Sequence, residues 1–184
     1  MNVIAVGSSF SQDATRYLHQ IAKPDNVYHK VFNQYIGCCS IERCWYNAEN
    51  DVVGYELEVN GKKTGRMISI KKALELDVLD FVTFWQVSHQ STDYSTYQPF
   101  LISLSKYIKR YAPDAEQVIH QTRAYERESE KPTVQMDTVI KRTCSPIYKL
   151  HTKRLQNLRK GKIVPGGEFF ERLRIRCLTS YWQL

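Results

Sequence analysis

Strand-like and helix-like patterns of apolar residues alternate from the N-terminus to Thr122, and this alternation constrains the fold more than any other feature. Short β-branched and apolar runs, typical of strands, cover residues 2–6, 27–36, 78–87 and 116–122. Apolar residues spaced by three or four positions, typical of one helix face, cover residues 14–22, 41–48 and 100–111. Alternation at this spacing predicts an α/β fold with a mostly parallel sheet covered on both sides by helices. The dense run 78–87 predicts a central strand that is buried on both faces.

A hairpin interrupts this repeat between residues 55 and 68. The extended runs 55–59 and 64–68 flank Asn60-Gly61, a pair that tolerates the positive φ angles of a tight turn. Because a hairpin is not part of an α/β repeat, we expect it to be an insertion at the sheet.

The pattern weakens beyond Thr133. Residues 134–160 are weakly helical and are broken by Pro146, and residues 163–165 are the candidate for a last short strand. From Ile140 to the C-terminus, eleven Lys and Arg residues stand against two Glu residues, so this part carries +9 and the rest −2 of the total charge of +7. We therefore expect the C-terminal part of the fold to be incomplete and basic.

Length and composition favour a single domain spanning residues 1–184, since 184 residues with 42% hydrophobic content suffice for a sizeable core. No stretch reaches the roughly 18 apolar residues that span a membrane, so no membrane partner is expected. Met1 leads into an apolar run without a signal-peptide pattern, which favours a cytoplasmic protein. A secreted or periplasmic protein whose leader had been removed would look the same. The five irregularly spaced cysteines favour reduced thiols, and no metal or cofactor is expected.

Glycine and polar residues follow each predicted strand, at the edge where open parallel sheets place their sites. These segments are Gly7-Ser8-Ser9-Phe10, Gly37-Cys38-Cys39-Ser40, Gln86-Val87-Ser88-His89 and His120-Gln121-Thr122. A serine in a glycine turn at the start of a helix is a suitable nucleophile, because helix N–H groups stabilise an oxyanion. The same position also suits a serine that only caps the helix, and the local pattern leaves both interpretations open.

Four blocks along the chain, in the same order, resemble the SGNH/GDSL-type hydrolases and more specifically an uncharacterised bacterial branch of them, a domain of unknown function. The blocks are GSSFSQDATRYLHQIA (7–22), YIGCCSIERCW (35–45), FVTFWQVSHQS (81–91) and HQTRAYE (120–126). The similarity covers residues 1–135 and resumes at 163–170, whereas residues 136–162 and 171–184 are atypical and basic. The resemblance implies a flavodoxin-like three-layer α/β/α sandwich that hydrolyses esters, including acyl groups on carbohydrate.

The resemblance also assigns roles to residues. Ser9 falls on the family's nucleophile. The oxyanion hole would use the N–H of Ser9, a backbone N–H of Gly37 or Cys38, and the side-chain amide of Gln86. If the family's glycine aligns with Cys38, the cysteine keeps the N–H group but is strained by a positive φ.

The family's catalytic base is missing from its usual place. In the family a His follows the last strand and is oriented by an Asp three residues before it. In this sequence no His follows His151 and no Asp follows Asp137. A serine hydroxyl is a poor nucleophile without a base to take its proton. His89 and His120, just past two strands at the same edge, are the candidates for a substitute base.

Three functions follow from these observations. The first is an SGNH-type serine esterase or acetylesterase that acts on a small-molecule or carbohydrate ester and is impaired or inactive as written. The second is a non-catalytic product of a truncated or frame-shifted gene, which predicts that another reading frame beyond Leu173 encodes Asp-x-x-His. The third is a protein that binds an acidic partner through its basic C-terminal part. No nucleic-acid-binding motif accompanies those basic residues, so nucleic acid is not expected.

Overall fold

The computed structural model describes residues 1–22, 30–91, 93–120 and 162–164. Residues 162–164 are described by their backbone alone. Within these residues seven strands form one sheet, in the order β4-β3-β2-β1-β5-β6-β7. The strands are β1 Asn2–Gly7, β2 Lys30–Tyr35, β3 Tyr55–Val59, β4 Lys62–Ile68, β5 Phe81–Trp85, β6 Glu116–His120 and β7 Lys162–Val164. Each run that the sequence pattern predicts to be a strand therefore contains one.

The parallel part of the sheet has the strand order of a flavodoxin-like fold. β1 pairs in parallel with β2 and β5, β5 pairs with β6, and β6 pairs with β7. When the two hairpin strands are left out, the order along the sheet is 2-1-3-4-5, which is the flavodoxin order. The predicted fold class is confirmed.

The hairpin extends the sheet beyond β2. β3 pairs antiparallel with both β2 and β4. At its turn φ is 52° for Asn60 and 77° for Gly61, as a tight turn of the predicted kind requires. The N–H of Asn60 donates to the carbonyl of Val31 (2.7 Å), and the N–H of Val31 donates to Oδ1 of Asn60 (3.0 Å). The predicted insertion is confirmed, and its tip is tied to β2.

Helices cover both faces of the sheet. The helices are α1 Ser9–Thr15, α2 Leu18–Ala22, α3 Ile41–Glu49, α4 Ile70–Leu74 and α5 Phe100–Tyr111, and a 3₁₀ turn spans Tyr94–Tyr97. α1 contacts α2, β1 and β2 on one face, whereas α3, α4 and α5 contact one another on the other. The single helix predicted over residues 14–22 is wrong, because the chain turns at Arg16-Tyr17 and forms two short helices.

The main hydrophobic core lies between the sheet and helices α3, α4 and α5. Its fully buried members include Ile4, Val6 and Phe84 on the strands and Leu101, Leu104 and Ile108 on α5. The prediction that residues 78–87 form a strand buried on both faces is confirmed at Trp85, which is buried on the face toward α1, but not over the whole run. The strand is limited to β5, Val78 is exposed, and Phe81 and Thr83 on the face toward α1 are only half-buried.

Some predicted elements lie outside the described residues. These are the start of the second strand (27–29), the end of the strand at 116–122 and the weak helix at 134–160. None of the helices in the described part of the chain has the length and apolar character needed to cross a membrane.

Candidate functional site

The carboxyl ends of four parallel strands lie side by side, as the alternation of strands and helices predicts. Gly7 at the end of β1 pairs with Tyr35 at the end of β2, and Trp85 of β5 pairs with His120 of β6. β1 and β5 are neighbours, so these residues form one row along the sheet edge. We call this row and the loops after it the strand-end site. All candidate residues lie on this edge or in its loops: Ser9, Gly37, Cys38, Gln86, His89 and His120.

Ser9 is the first residue of α1, just beyond the end of β1. Its side chain is exposed, and its hydroxyl makes no hydrogen bond to any other described residue. The cap position belongs to Ser8, whose side chain makes no capping bond and whose carbonyl accepts a bond from Oγ of Ser11 (2.7 Å). The alternative interpretation of Ser9 as a helix cap is therefore wrong. Within the described residues the fold makes no use of this hydroxyl.

Gly7 fixes how closely α1 approaches the sheet. A Cβ atom on Gly7 would lie 3.0 Å from Cβ and Oγ of Ser11 and 3.5 Å from the ring of Trp85. Contacts of 3.0 Å are tighter than packed side chains normally allow. A larger residue would push α1, and Ser9 with it, away from the strand end.

The loop between β2 and α3 carries its positive φ at Cys38. The φ of Cys38 is 52°, its side chain is exposed, and the preceding Gly37 does not have a positive φ. The carbonyl of Gly37 accepts a hydrogen bond from the guanidinium of Arg43 (3.0 Å), which holds the loop against the first turn of α3. A cysteine is strained at this φ, as predicted. Whether the N–H of Gly37 or of Cys38 serves an oxyanion stays a prediction.

Gln86 is buried at the end of β5, and its amide is used by the fold. Its Oε1 accepts hydrogen bonds from the N–H groups of Ile41 (3.1 Å) and Val87 (3.0 Å). Its Nε2 donates to the carbonyl and to Oγ1 of Thr96, both at 3.2 Å. Gln86 thereby joins β5, the start of α3 and the 3₁₀ turn. Its predicted role as an oxyanion donor would require the side chain to break its bonds to Thr96.

The two substitute-base candidates have different surroundings. His89 is exposed in the turn after β5. His120 is half-buried, and its ring packs against that of Trp85 at an angle of 44°, with centroids 4.7 Å apart. Burial lowers the pKa of His120, which favours the neutral imidazole that a base must have. β5 separates β6 from β1, so the backbones of His120 and Gly7 are about 10 Å apart, two strand spacings.

The lowered pKa of His120 makes stability depend on pH. The unfolded chain, with a His pKa of about 6.5, takes up a proton more readily than the folded chain, so stability is lost as pH falls through 6.5. Between pH 7.5 and 5.5 we expect wild type to lose more unfolding free energy than His120→Gln, by at most about 1.4 kcal/mol. Urea unfolding of both chains at the two pH values measures this. Equal losses in the two chains would contradict it.

A buried carboxylate that no sequence pattern predicts lies beside α1. Glu58 of β3 is buried and accepts hydrogen bonds from the side-chain amides of Gln12 on α1 and Asn33 on β2. These bonds tie the helix that begins at Ser9 to the inserted hairpin. In the sequence Glu58 looks like an ordinary solvated residue of a hairpin strand, and no local signal marks its partners.

Comparison with known proteins identifies the family. A family model, described as Domain of unknown function (DUF4886), matches residues 2–176. The chain belongs to the DUF4886 family. The crystal structure of a DUF4886 family protein from Bacteroides uniformis aligns with it at a TM-score of 0.80 and 29% identity, covering 91% of this chain and 67% of that one. None of the curated proteins matches the chain significantly.

Other solved structures share the fold of the DUF4886 chain. The acetyl xylan esterase AlAXEase aligns at a TM-score of 0.63 and 11% identity, over 98% of this chain and 84% of that one. A Parabacteroides merdae protein named as a GDSL-like lipase aligns at a TM-score of 0.54 and 15% identity, over 98% of this chain and 84% of that one. At such identities the likeness shows the fold alone. The fold is the GDSL/SGNH fold that the four sequence blocks imply.

Proposed function

We propose that this DUF4886 chain is a serine ester hydrolase of the SGNH/GDSL type with Ser9 as its nucleophile. The observation that carries the proposal is the state of Ser9. Its hydroxyl is exposed at the carboxyl end of the central strand, and the described residues make no structural use of it. Open α/β sheets bind their ligands at this edge.

The proposed reaction begins with attack of Oγ of Ser9 on the carbonyl carbon of an ester. The serine proton passes to a base, the alcohol leaves, and water then releases the acyl group from the serine. The N–H groups of Ser9 and of Gly37 or Cys38 are the proposed donors to the oxyanion. The proposed base is His89 or His120, since residues 171–184 contain no Asp-x-x-His.

Small acyl esters are the proposed substrates, with acetyl groups on carbohydrate as the preferred case. This substrate class is supported by the shared fold of an acetyl xylan esterase, although the likeness between the two proteins is one of fold alone. The net charge of the chain does not argue against carbohydrate esters as substrates, since residues 1–139 carry a net charge of only −2.

Hydrolysis of p-nitrophenyl acetate by the purified chain and by Ser9→Ala tests the proposal. We expect Ser9→Ala to lower kcat/KM on the order of 100-fold or more, because the nucleophile is lost. Ser103→Ala, on α5 across the sheet, is the matched control and should keep the wild-type rate. His89→Ala and His120→Ala, measured next, identify the base.

Equal rates for wild type and Ser9→Ala would overturn the proposal. The chain would then be a non-catalytic member of the family, as the truncated or frame-shifted alternative requires. Sequencing of the gene beyond the codon of Leu173 would test that alternative separately, since a shifted frame should encode Asp-x-x-His.

A further inference from the structure

A group of four buried polar side chains lies between β3 and the start of α3. We call it the thiol cluster: Cys39, Cys44, Asn47 and Tyr55. The Sγ atoms of Cys39 and Cys44 are 3.1 Å apart, and the hydroxyl of Tyr55 is 3.4 Å from Sγ of Cys39. The side-chain amide of Asn47 donates to the same hydroxyl at 3.1 Å. Both thiols are free, and the neighbouring Cys38 is exposed.

The local sequence explains why the two sulfur atoms meet. Ser40 is the N-cap of α3, and its side chain accepts a hydrogen bond from the N–H of Arg43. Cys39 therefore precedes the cap, and Cys44 is the fourth residue of the helix. In many helices these two positions hold a pair of apolar residues in contact, the hydrophobic staple. Here both positions are cysteines, so the staple is a pair of thiols.

The thiol cluster makes the two cysteines chemically different. The hydrogen bond from Cys44 and the hydroxyl of Tyr55 lower the pKa of Cys39 despite its burial. The same contact with Cys39, together with burial, raises the pKa of Cys44. These contacts favour the thiolate at Cys39 and the protonated thiol at Cys44. A second thiol 3.1 Å away can turn a sulfenic acid at Cys39 into a disulfide.

We infer that Cys39 and Cys44 close an intrachain disulfide when the chain meets hydrogen peroxide. The Cys39 thiolate attacks one peroxide oxygen, the O–O bond breaks, hydroxide leaves, and Cys39 becomes a sulfenic acid. The sulfur of Cys44 then attacks the sulfur of Cys39, the S–O bond breaks, and water leaves with the proton of Cys44. Two thiols are oxidised to one disulfide, and one peroxide is reduced to two water molecules. The sulfur atoms approach each other by about 1 Å to reach the length of an S–S bond.

The disulfide would turn a non-covalent helix staple into a covalent one. It joins the loop that carries Cys38 to the second turn of α3, close to the Gln86 bond at Ile41. Closing a short loop restricts the unfolded chain, so the oxidised form should unfold at a higher temperature, by roughly 5 °C. This inference does not depend on the proposed hydrolase activity, since it concerns the thiols alone.

Mass spectrometry of the full chain tests the inference. The chain is treated with equimolar hydrogen peroxide, denatured, alkylated and digested with trypsin, which cuts after Arg43 and so separates the two cysteines. We expect the peptide 31–43 to be linked to the peptide 44–62, and the number of alkylated thiols to fall from five to three. Dithiothreitol should release the link and reverse the rise in unfolding temperature.

Because the peptide 31–43 contains both Cys38 and Cys39, variants are needed to show which of them forms the disulfide. Cys38→Ser removes the exposed thiol and should still give the linked peptides, whereas Cys39→Ser and Cys44→Ser should not. If either buried variant fails to fold, the Cys38→Ser chain decides alone, because it leaves Cys39 as the single cysteine of the peptide 31–43. Loss of the link in Cys38→Ser, a link through Cys144 or Cys177, or sulfinic acid at Cys39 without any link would each overturn the inference.

Discussion

Replacing Gln86 with methionine should lower the free energy of unfolding by about 3 kcal/mol. Methionine fills nearly the same space but neither accepts from the N–H groups of Ile41 and Val87 nor donates to Thr96. Each buried N–H group without a partner costs about 1–3 kcal/mol. Unfolding in guanidinium, followed by circular dichroism, should show a lower midpoint with an unchanged slope.

The same substitution separates the two roles of Gln86. Gln20→Met is the matched control, because Gln20 is exposed on α2 and its substitution should change stability by less than about 0.5 kcal/mol. If Gln86 acts mainly as an oxyanion donor, Gln86→Met would keep its stability and lose esterase rate instead. A chain that remains as stable as wild type would therefore contradict the structural role that the contacts indicate.

Elements with strong local chemistry are predictable from this sequence. The Asn60-Gly61 turn needs two residues that accept positive φ, and few pairs meet this need, so the hairpin is specified by its own residues. The β-branched runs of β1 and β5 are specified in the same way. The order of the parallel strands is different, because it depends on long-range pairing, and it followed from the resemblance rather than from periodicity.

Short elements and tertiary polar contacts are not predictable in this way. α4 has five residues, too few for a helical period to show, and it begins at a cap made by Ser69. The chain turns at Arg16-Tyr17 although the apolar spacing of residues 14–22 is regular, since the hairpin tip packs against the backbone there. Sequence periodicity records which face is apolar, and it carries no information about a contact from residue 61.

In the strand-end site, too, features set by local sequence are predictable and features set by tertiary contacts are not. The position of Ser9 at the end of β1 could be predicted because a glycine turn between a strand and a helix is a local pattern, whereas its role as nucleophile stays a prediction. The internal use of Gln86 could not, because its partners Ile41 and Thr96 are distant in sequence. Which of His89 and His120 acts as a base stays a prediction, because they differ in burial and in the contact of His120 with Trp85, which only the folded sheet defines.

Gly61→Ala should destabilise the chain by about 3 kcal/mol, through two separate effects. The φ of Gly61 is 77°, a conformation that costs an alanine about 1–2 kcal/mol. In addition, a Cβ atom on Gly61 would overlap the carbonyl oxygen of Arg16, which neither backbone can accommodate without moving. The hairpin tip would have to withdraw from α1, and the hydrogen bonds between Asn60 and Val31 would weaken.

Gly65→Ala separates the two effects. Gly65 of β4 has a φ of 69°, close to that of Gly61, but a Cβ atom there has no neighbour within 4 Å. It should therefore show only the conformational penalty, about 1–2 kcal/mol. The difference between the two variants in denaturant unfolding measures the contact of the hairpin tip with Arg16. Equal losses would mean that this contact does not hold the hairpin against α1. The helix that begins at Ser9 would then depend on Glu58 and its amide partners for its position.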